Sequence, residues 1–489
     1  MSKKKDSFAD EGLAGAIFTT ETQVLAHTNV QHDGDDPLND ILSSPVGFIE
    51  QERYTCAIGA LQSVVAIPKA VPILHSGPGC GTMIQGFFER STGYAGGSTS
   101  PCTNFSETEV VFGGTERLRK IIEGTYKVLN TDLQVVLTGC TADIVGDDTA
   151  QVVNDFKRDG RPIVQVDTAG FKHNNLVAHS DVVNAIIDQY VHKFAANVTP
   201  RSDKRLVNLF ASIPYQDPFW KGNLREYKRL LEALGLQVNV LFGPESGGVS
   251  EWQTIPRANF NILVSPWYGL PIVQNLAEKY GQPFVCFGHL PIGAGETGRF
   301  LETVAAFARE NNAGTNRCDI KALIAKEEQA YYEEIDNLAT FLLEFRYGLP
   351  NHVHILHDGG YVVGLARFLL HEVGIVPKEQ FVVDNTPAEF QDAIRADLAA
   401  ASDKRVIPLY FTADAGAAQH AIRALKHRGR GLIIGSGWDK ELACEKNYDF
   451  LSASAPSPYR LVLTTNYVGY SGGLRVIEDI YSAVLATYA

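Results

Sequence analysis

Residues 54–83 read YTCAIGALQSVVAIPKAVPILHSGPGCGTM, and residues 133–148 read LQVVLTGCTADIVGDD. Each holds a short apolar run that stops at a glycine turn carrying a cysteine. In the first, Val71–His75 is a predicted strand and Gly77-Pro78-Gly79-Cys80-Gly81 the turn behind it. In the second, Leu133–Thr138 is the strand and Cys140 follows its carboxyl end, with Thr141-Ala142-Asp143 leading into a helix. Runs this short, apolar on both faces and rich in Val, Ile and Leu, are how buried parallel strands read.

The same alternation continues outward. Further strands are predicted at Pro162–Asp167, Arg205–Ala211, Gln237–Phe242, Phe260–Ser265, Pro283–Phe287, Val353–Leu356, Arg405–Phe411 and Gly431–Ile434. Helices are predicted at Thr115–Leu129, Asp181–Ala195, Asn223–Leu234, Pro271–Tyr280, Ile320–Phe345, Gly360–Val373 and Ala415–His427. Strands alternating with helices of this length imply βαβ units, so the fold class is α/β with parallel sheets flanked by helices. Ligands in such sheets sit beyond the carboxyl ends of strands, where Cys80 and Cys140 both fall.

Two polar breaks divide the chain, near Asn197–Lys204 and near Gly348–Asn351. The predicted organisation is an N-terminal extension over 1–45, a first α/β domain over 46–200 that holds both glycine-turn cysteines, a second α/β domain over 201–348 and a third over 349–489. Domains of about 150 residues are of ordinary size. The extension is polar and reads either as an arm that wraps a partner or as a loose terminus.

Composition narrows the function. The chain has 489 residues, 45% hydrophobic and 20% charged, with a formal net charge of -13. A nucleic-acid binder shows a basic field, so no nucleic-acid partner is expected. No apolar run approaches the roughly 20 residues needed to span a bilayer, so no membrane association is expected. The lysines of MSKKKDSFADEG precede no apolar stretch, which argues against a secretory signal. Seven cysteines, an odd number, argue against a disulfide framework. A cytoplasmic protein with reduced thiols free to bind metal is the expectation.

Taken one at a time, each cysteine reads as a small buried hydrophobe before it reads as a ligand. The Gly77–Gly81 turn is not the G-x-G-x-x-G fingerprint, and the chain contains no Walker A loop, HExxH or CxxC. Glycines at such turns permit positive φ and close approach to the backbone. Two strand-end cysteines beside them make half of a plausible iron–sulfur site.

The segments HSGPGCGTM (75–83), FSETEVVFGG (105–114) and TGCTADIVGDD (138–148) resemble those of nitrogenase component 1 subunits. So do SPWYGLPIVQNLAEKYGQPF (265–284), LPIGAGETGRFL (290–301) and TTNYVGYSGGLRVIEDIYSAVL (464–485). That superfamily includes the nitrogenases, protochlorophyllide reductase, cofactor-assembly scaffolds and methylthio-alkane reductases. The resemblance implies three Rossmann-like domains. It implies that Cys56, Cys80 and Cys140 are the metal ligands, holding part of an 8Fe-7S P-cluster shared with an α-type subunit. Their spacing, 24 and then 60 residues, resembles the β-type subunit. Gly79, Gly81 and Gly139 would then line the cofactor.

In Asp167-Thr168-Ala169-Gly170-Phe171, Gly170 takes the place where the resemblance calls for a serine ligand. Ser265 stands where an α-type chain has its cofactor cysteine, and Leu451–Pro456 contains no histidine. The active-site iron–sulfur cofactor is therefore expected in the partner, and no catalytic residue in this chain. Phe112 resembles the contact to a dimeric, ATP-dependent iron protein. The implied assembly is an α2β2 heterotetramer, an oxidoreductase that takes electrons from that protein. Hydrolysis of ATP on the partner fits the lack of a P-loop here.

GYAGGSTSPCTNFSETEVVFGG (93–114) looks like the methylthio-alkane reductases, which cleave a C–S bond in small thioethers. A dinitrogen-reducing enzyme and a cofactor-assembly scaffold are the alternatives, with an α/β enzyme carrying incidental cysteines behind them. Cys286 reads as a core residue, and Cys318 and Cys444 as structural or incidental. Cys102, close to the cluster region, is left open. His352 and His354 fall on one strand face and His357 on the other, which reads as satisfied sheet histidines.

Overall fold

The computed structural model describes residues 37–42, 49–91, 99–195, 198–313, 319–345, 348–401 and 406–486. They form three parallel sheets, each with helices packed on its faces. The first sheet has the order β1-β2-β3, with β1 Ala70–His75, β2 Leu133–Thr138 and β3 Ile163–Asp167. The second has the order β5-β4-β6-β7, from β4 Asp203–Phe210, β5 Gln237–Val240, β6 Ala258–Val264 and β7 Phe284–Phe287. The third runs β11-β10-β8-β12-β13, with β9 paired to β8. Its strands are β8 His352–His357, β9 Val376–Pro377, β10 Gln380–Val382, β11 Leu409–Phe411, β12 Gly431–Gly435 and β13 Asp449–Ser452.

All six residues of β1, of β2 and of β8 are buried. That is why they read as continuous apolar runs and not as alternating ones. β9, β10 and β13, of two to four residues, are not among the predicted strands. The strand expected at Arg405–Phe411 is shorter and begins after Pro408, whose nitrogen cannot donate to a ladder. The helix expected from Asp181 begins earlier, at Asn175. The Asn174 side chain caps it, accepting from the N–H groups of Leu176 and Val177 at 3.1 Å each.

Most of the predicted N-terminal extension lies outside the described residues. Within it, Pro37–Leu42 is helical, and Leu38 packs into the apolar layer over the third sheet with Ala418 and Ile422. Arg53 then makes a buried ion pair with Asp439 at 2.7 Å. The last helix, Gly469–Ala486, packs on β13 and also on helices Gly293–Glu310 and Ile320–Phe345. No helix among the described residues is long and apolar enough to cross a membrane.

Candidate metal centre

The first sheet assembles the site by topology. β1, β2 and β3 are parallel and in register, so His75, Thr138 and Asp167 stand side by side at their carboxyl ends. The segments leaving the three strands therefore meet in space. After β1, Cys80 lies in the first turn of helix Pro78–Ser91. After β2, Cys140 opens helix Cys140–Val145. After β3 comes Gly170. Cys56 arrives from the segment before β1 and is pinned there by a bridge to Asn174 and by reciprocal bonds between Thr55 and Asn175, 2.9 Å each.

Two of the sulfurs meet at Gly170. A Cβ at Gly170 would lie 2.8 Å from Cys56 Cβ, 3.3 Å from Cys56 Sγ and 3.5 Å from Cys140 Sγ. The Gly170 N–H donates to Cys140 Sγ at 3.1 Å. Where a serine ligand was looked for, the chain offers a main-chain donor, and a side chain there would crowd Cys56. Burial raises the pKa of the Cys56 thiol, and the nearby sulfurs of Cys80 and Cys140 raise it further. Three thiolates this close repel one another, and a bound metal supplies the positive charge that removes the penalty. Cys56 is exposed, Cys80 and Cys140 are half-buried, and none is in a disulfide. The donor set and its accessibility fit an iron–sulfur group.

The glycines serve a different purpose from the positive φ expected of the turn. Gly77, Gly79, Gly81, Gly139 and Gly170 are not among the residues with positive φ. Gly139 is demanded by packing, since a Cβ would fall 2.2 Å from Ser76 Oγ. Gly81 has Leu74 Cδ1 at 3.4 Å from such a Cβ. At Gly77 and Gly79 a Cβ would meet nothing within 4 Å, so the chain's own packing gives no reason for glycine there and leaves room for an approaching group.

Exposed apolar side chains follow the cysteines and Gly170 along the chain. Met83 is 76% exposed, Ile144 75% and Phe171 62%, each close along the chain to Cys80, Cys140 and Gly170 in turn. Helix Glu107–Phe112 presents Phe112, 83% exposed, with Val110 and Val111 beside it. Phe112 thus stands on a helix end and covers no sheet edge.

Two residues at this centre were missed. Asp147 accepts from the Gly114 N–H at 2.8 Å and bonds His75 Nε2 at 3.0 Å. His75 is buried against Phe105, and burial lowers its pKa against the opposing pull of Asp147. The pair ties the Phe112 segment to the end of β1, five residues before Cys80. Both lie within the motif segments 75–83 and 138–148, but only the fold brings them together.

Cys102 is bound to main chain: its Sγ donates to the Ser76 carbonyl at 3.4 Å and accepts from the Asn104 N–H at 3.4 Å. Cys286 is buried in β7, which pushes its thiol up to about 12. Cys444 is exposed, and Cys318 lies outside the described residues. Ser265 is buried, its hydroxyl accepting from the Trp267 N–H at 3.3 Å. His357 is satisfied through both ring nitrogens, by Ala453 O and the Asp358 N–H. His352 and His354 are not, for each keeps a buried Nε2 without a hydrogen-bond partner among the described residues.

The family described as nitrogenase component 1 type oxidoreductase matches residues 55–485. The nitrogenase molybdenum-iron protein beta chain of Clostridium pasteurianum is 22% identical over 460 residues, covering 88% of this chain and 92% of that one. The beta chain of Azotobacter vinelandii is 24% identical over 380 residues, 73% of this chain and 68% of that one. A light-independent protochlorophyllide reductase subunit of Gloeobacter violaceus is 28% identical over 176 residues, 35% of this chain and 34% of that one. Among solved structures, nitrogenase Cp1 at pH 6.5 superposes with a TM-score of 0.71 at 20% identity, over 89% of this chain and 93% of that one.

Proposed function

This chain belongs to the nitrogenase component 1 type oxidoreductases, and from that premise we propose that it is the β-type subunit of a nitrogenase-like reductase that cleaves C–S bonds of small methylthio-alkanes. The observation that carries the subunit role is the meeting of Cys56 and Cys140 at Gly170, with Cys80 near enough to Cys56 to raise its pKa, beside exposed apolar side chains. The three thiolates hold one half of an 8Fe-7S P-cluster, and an α-type chain covering those apolar side chains holds the other. When bound, that cluster supplies one-electron storage and transfer. Gly79 leaves room at the first helical turn, Gly81 lets that turn pack on Leu74, Gly139 lets the ends of β1 and β2 close up, and the Gly170 N–H withdraws charge from the Cys140 sulfur.

Phe112 docks an ATP-dependent dimeric iron protein, and Asp147 holds that docking segment against His75. The assembly is an α2β2 heterotetramer in the cytoplasm, with the active-site iron–sulfur cofactor in the α-type chain. Cleavage of a methyl thioether takes two electrons and two protons and gives a thiol and methane. The iron protein supplies the electrons and water the protons. The substrate assignment rests on the likeness of residues 93–114 to the methylthio-alkane reductases. A second reading, a dinitrogen-reducing nitrogenase, is favoured by the names of the relatives above.

The test is turnover of the co-purified αβ pair with iron protein and ATP, given dimethyl sulfide or dinitrogen. Methane from the thioether is expected. Ammonia without methane moves the assignment to the second reading. Neither product, with cluster passed to an apo-acceptor, identifies an assembly scaffold.

A further inference from the structure

The buried histidines of β8 lead to a second cluster, far in sequence from the cysteines. His354 stands on β8, Glu379 just before β10 and His427 shortly before β12, and β10 and β12 flank β8 in the third sheet. One ligand atom from each of the three residues lies within 4.8 Å of the others. His427 Nε2 is 2.8 Å from Glu379 Oε2, and His354 Nδ1 is 3.7 Å from the same oxygen. The rings of His354 and His427 stand 5.4 Å apart, and His352 lies 5.2 Å from His427 and 5.6 Å from His354. Three imidazoles and one carboxylate thus share a single corner of the sheet.

The hydrogen bonding of His354 is that of a metal ligand. Its Nδ1 lies 3.0 Å from the Glu379 carbonyl oxygen, which accepts only if Nδ1 carries the proton. The lone pair is then on Nε2, the buried atom without a partner. A ligating histidine characteristically donates its other N–H to a backbone carbonyl, which fixes tautomer and ring orientation. A buried polar atom left unmatched is destabilising, and no hydrogen-bond partner for it stands among the described residues.

Access and adjustability complete the case. Glu379 and His427 are partly exposed and border a hollow of about 570 Å³ that Lys378 and Ile407 also line. Donors on one tetrahedral ion stand about 3.4 Å apart, so Glu379 and His427 close the set by turning from the Nδ1 edge of His354 toward its Nε2. Two neighbouring cations are engaged elsewhere: Lys446 Nζ donates to the Leu425 carbonyl at 2.6 Å, and Arg430 pairs with Asp449.

We propose that His354, Glu379 and His427 bind one divalent transition-metal ion of the zinc class, with His352 packed beside it and a remaining position open to water. Two imidazoles and a carboxylate are the donor set that borderline-soft Zn²⁺ favours over the hard cations Ca²⁺ and Mg²⁺. This site is independent of the cysteine centre.

The test uses the full-length chain, purified with the partner that accompanies it and stripped with a chelator. Zinc titration by calorimetry is read beside elemental analysis after desalting. One zinc per chain is expected, with affinity falling at least tenfold in His427→Ala and in Glu379→Gln. The exposed control His420→Ala should bind like the parent, and iron content should stay constant in all. His427 and Glu379 are partly exposed, so the two variants fail to fold together only if the corner is structural. Equal thermal melting without zinc checks that, and a common loss of folding overturns the proposal. So does the absence of saturable zinc binding. Zinc that survives His427→Ala and disappears with Cys140→Ala is held by the thiols, which also overturns it.

Discussion

Two clusters of ionisable groups in this molecule have opposite fates. Between the second and third sheets, His289 bonds Asp397 at 2.7 Å and Glu296 at 2.9 Å, and Arg367 reaches Glu296 at 2.8 Å. All four groups are buried or nearly so, two cations matched to two carboxylates. The cysteine cluster gathers three like groups with no cation among them, half open to solvent. The first is closed and serves the fold. The second leaves three like groups unmatched, which is what the proposed cofactor site on an interface requires. A cluster of perturbed groups says little by itself; whether its charges already sum to zero says much more.

The contrast is sharpest where one member of each cluster is removed. Arg367→Met leaves Glu296 and Asp397 short of a cation in the interior, a loss of about 3–5 kcal/mol by denaturant titration, with iron per folded chain unchanged. Cys140→Ala, or Cys80→Ala, should do the reverse and drop cluster iron to background in elemental analysis of the purified pair. Unfolding free energy of the chain should then stay within about 0.5 kcal/mol, as for surface changes generally. If both kinds of variant lose iron and stability alike, the distinction between the clusters fails.

A third variant probes the exposed apolar side chains. Phe112→Ala removes an exposed side chain with no core role. Turnover driven by the iron protein should fall about tenfold, the size of a moderate interface hot spot, with iron content and melting temperature unchanged. A variant as active as the parent would take Phe112 out of the docking surface.

The smallest effect is in pH. Burial disfavours the proton on His289, but Asp397 and Glu296 outweigh it and raise the pKa above 6.5. That contribution to stability is full below about pH 6.5 and is lost as pH rises through the raised value. Glu296 and Asp397 are lowered from 4.5 and 3.8, since His289 and Arg367 outweigh their burial. Their contribution is full above those values and is lost as pH falls through the lowered ones. The closed cluster is therefore strongest between about pH 5 and 6.5. In thermal melts, the deficit of His289→Gln should be larger at pH 6 than at pH 9; an equal deficit would mean that His289 is neutral in the folded chain.

The sequence is legible wherever a single strand and its own exit turn decide the outcome. Cys80 and Cys140 could be placed because parallel order and register alone align the ends of β1 and β2. Cys56 could not be placed by that argument, since its position depends on pairing with Asn174, more than a hundred residues on. Gly139 was readable as a glycine but not for its reason, which is the hydroxyl of Ser76 from another strand end. The His289 network and the His354 corner escaped for the same cause. Their members lie up to 108 and up to 73 residues apart (427 less 354), and no local period connects them.

Counting iron and acid-labile sulfide per αβ pair after anaerobic co-purification tests the central claim most directly. Cys56, Cys80 and Cys140 holding half of a shared cluster predicts the content of two large clusters per pair, one of which disappears in Cys140→Ala. A single four-iron cluster or none, or a count indifferent to that substitution, would contradict it.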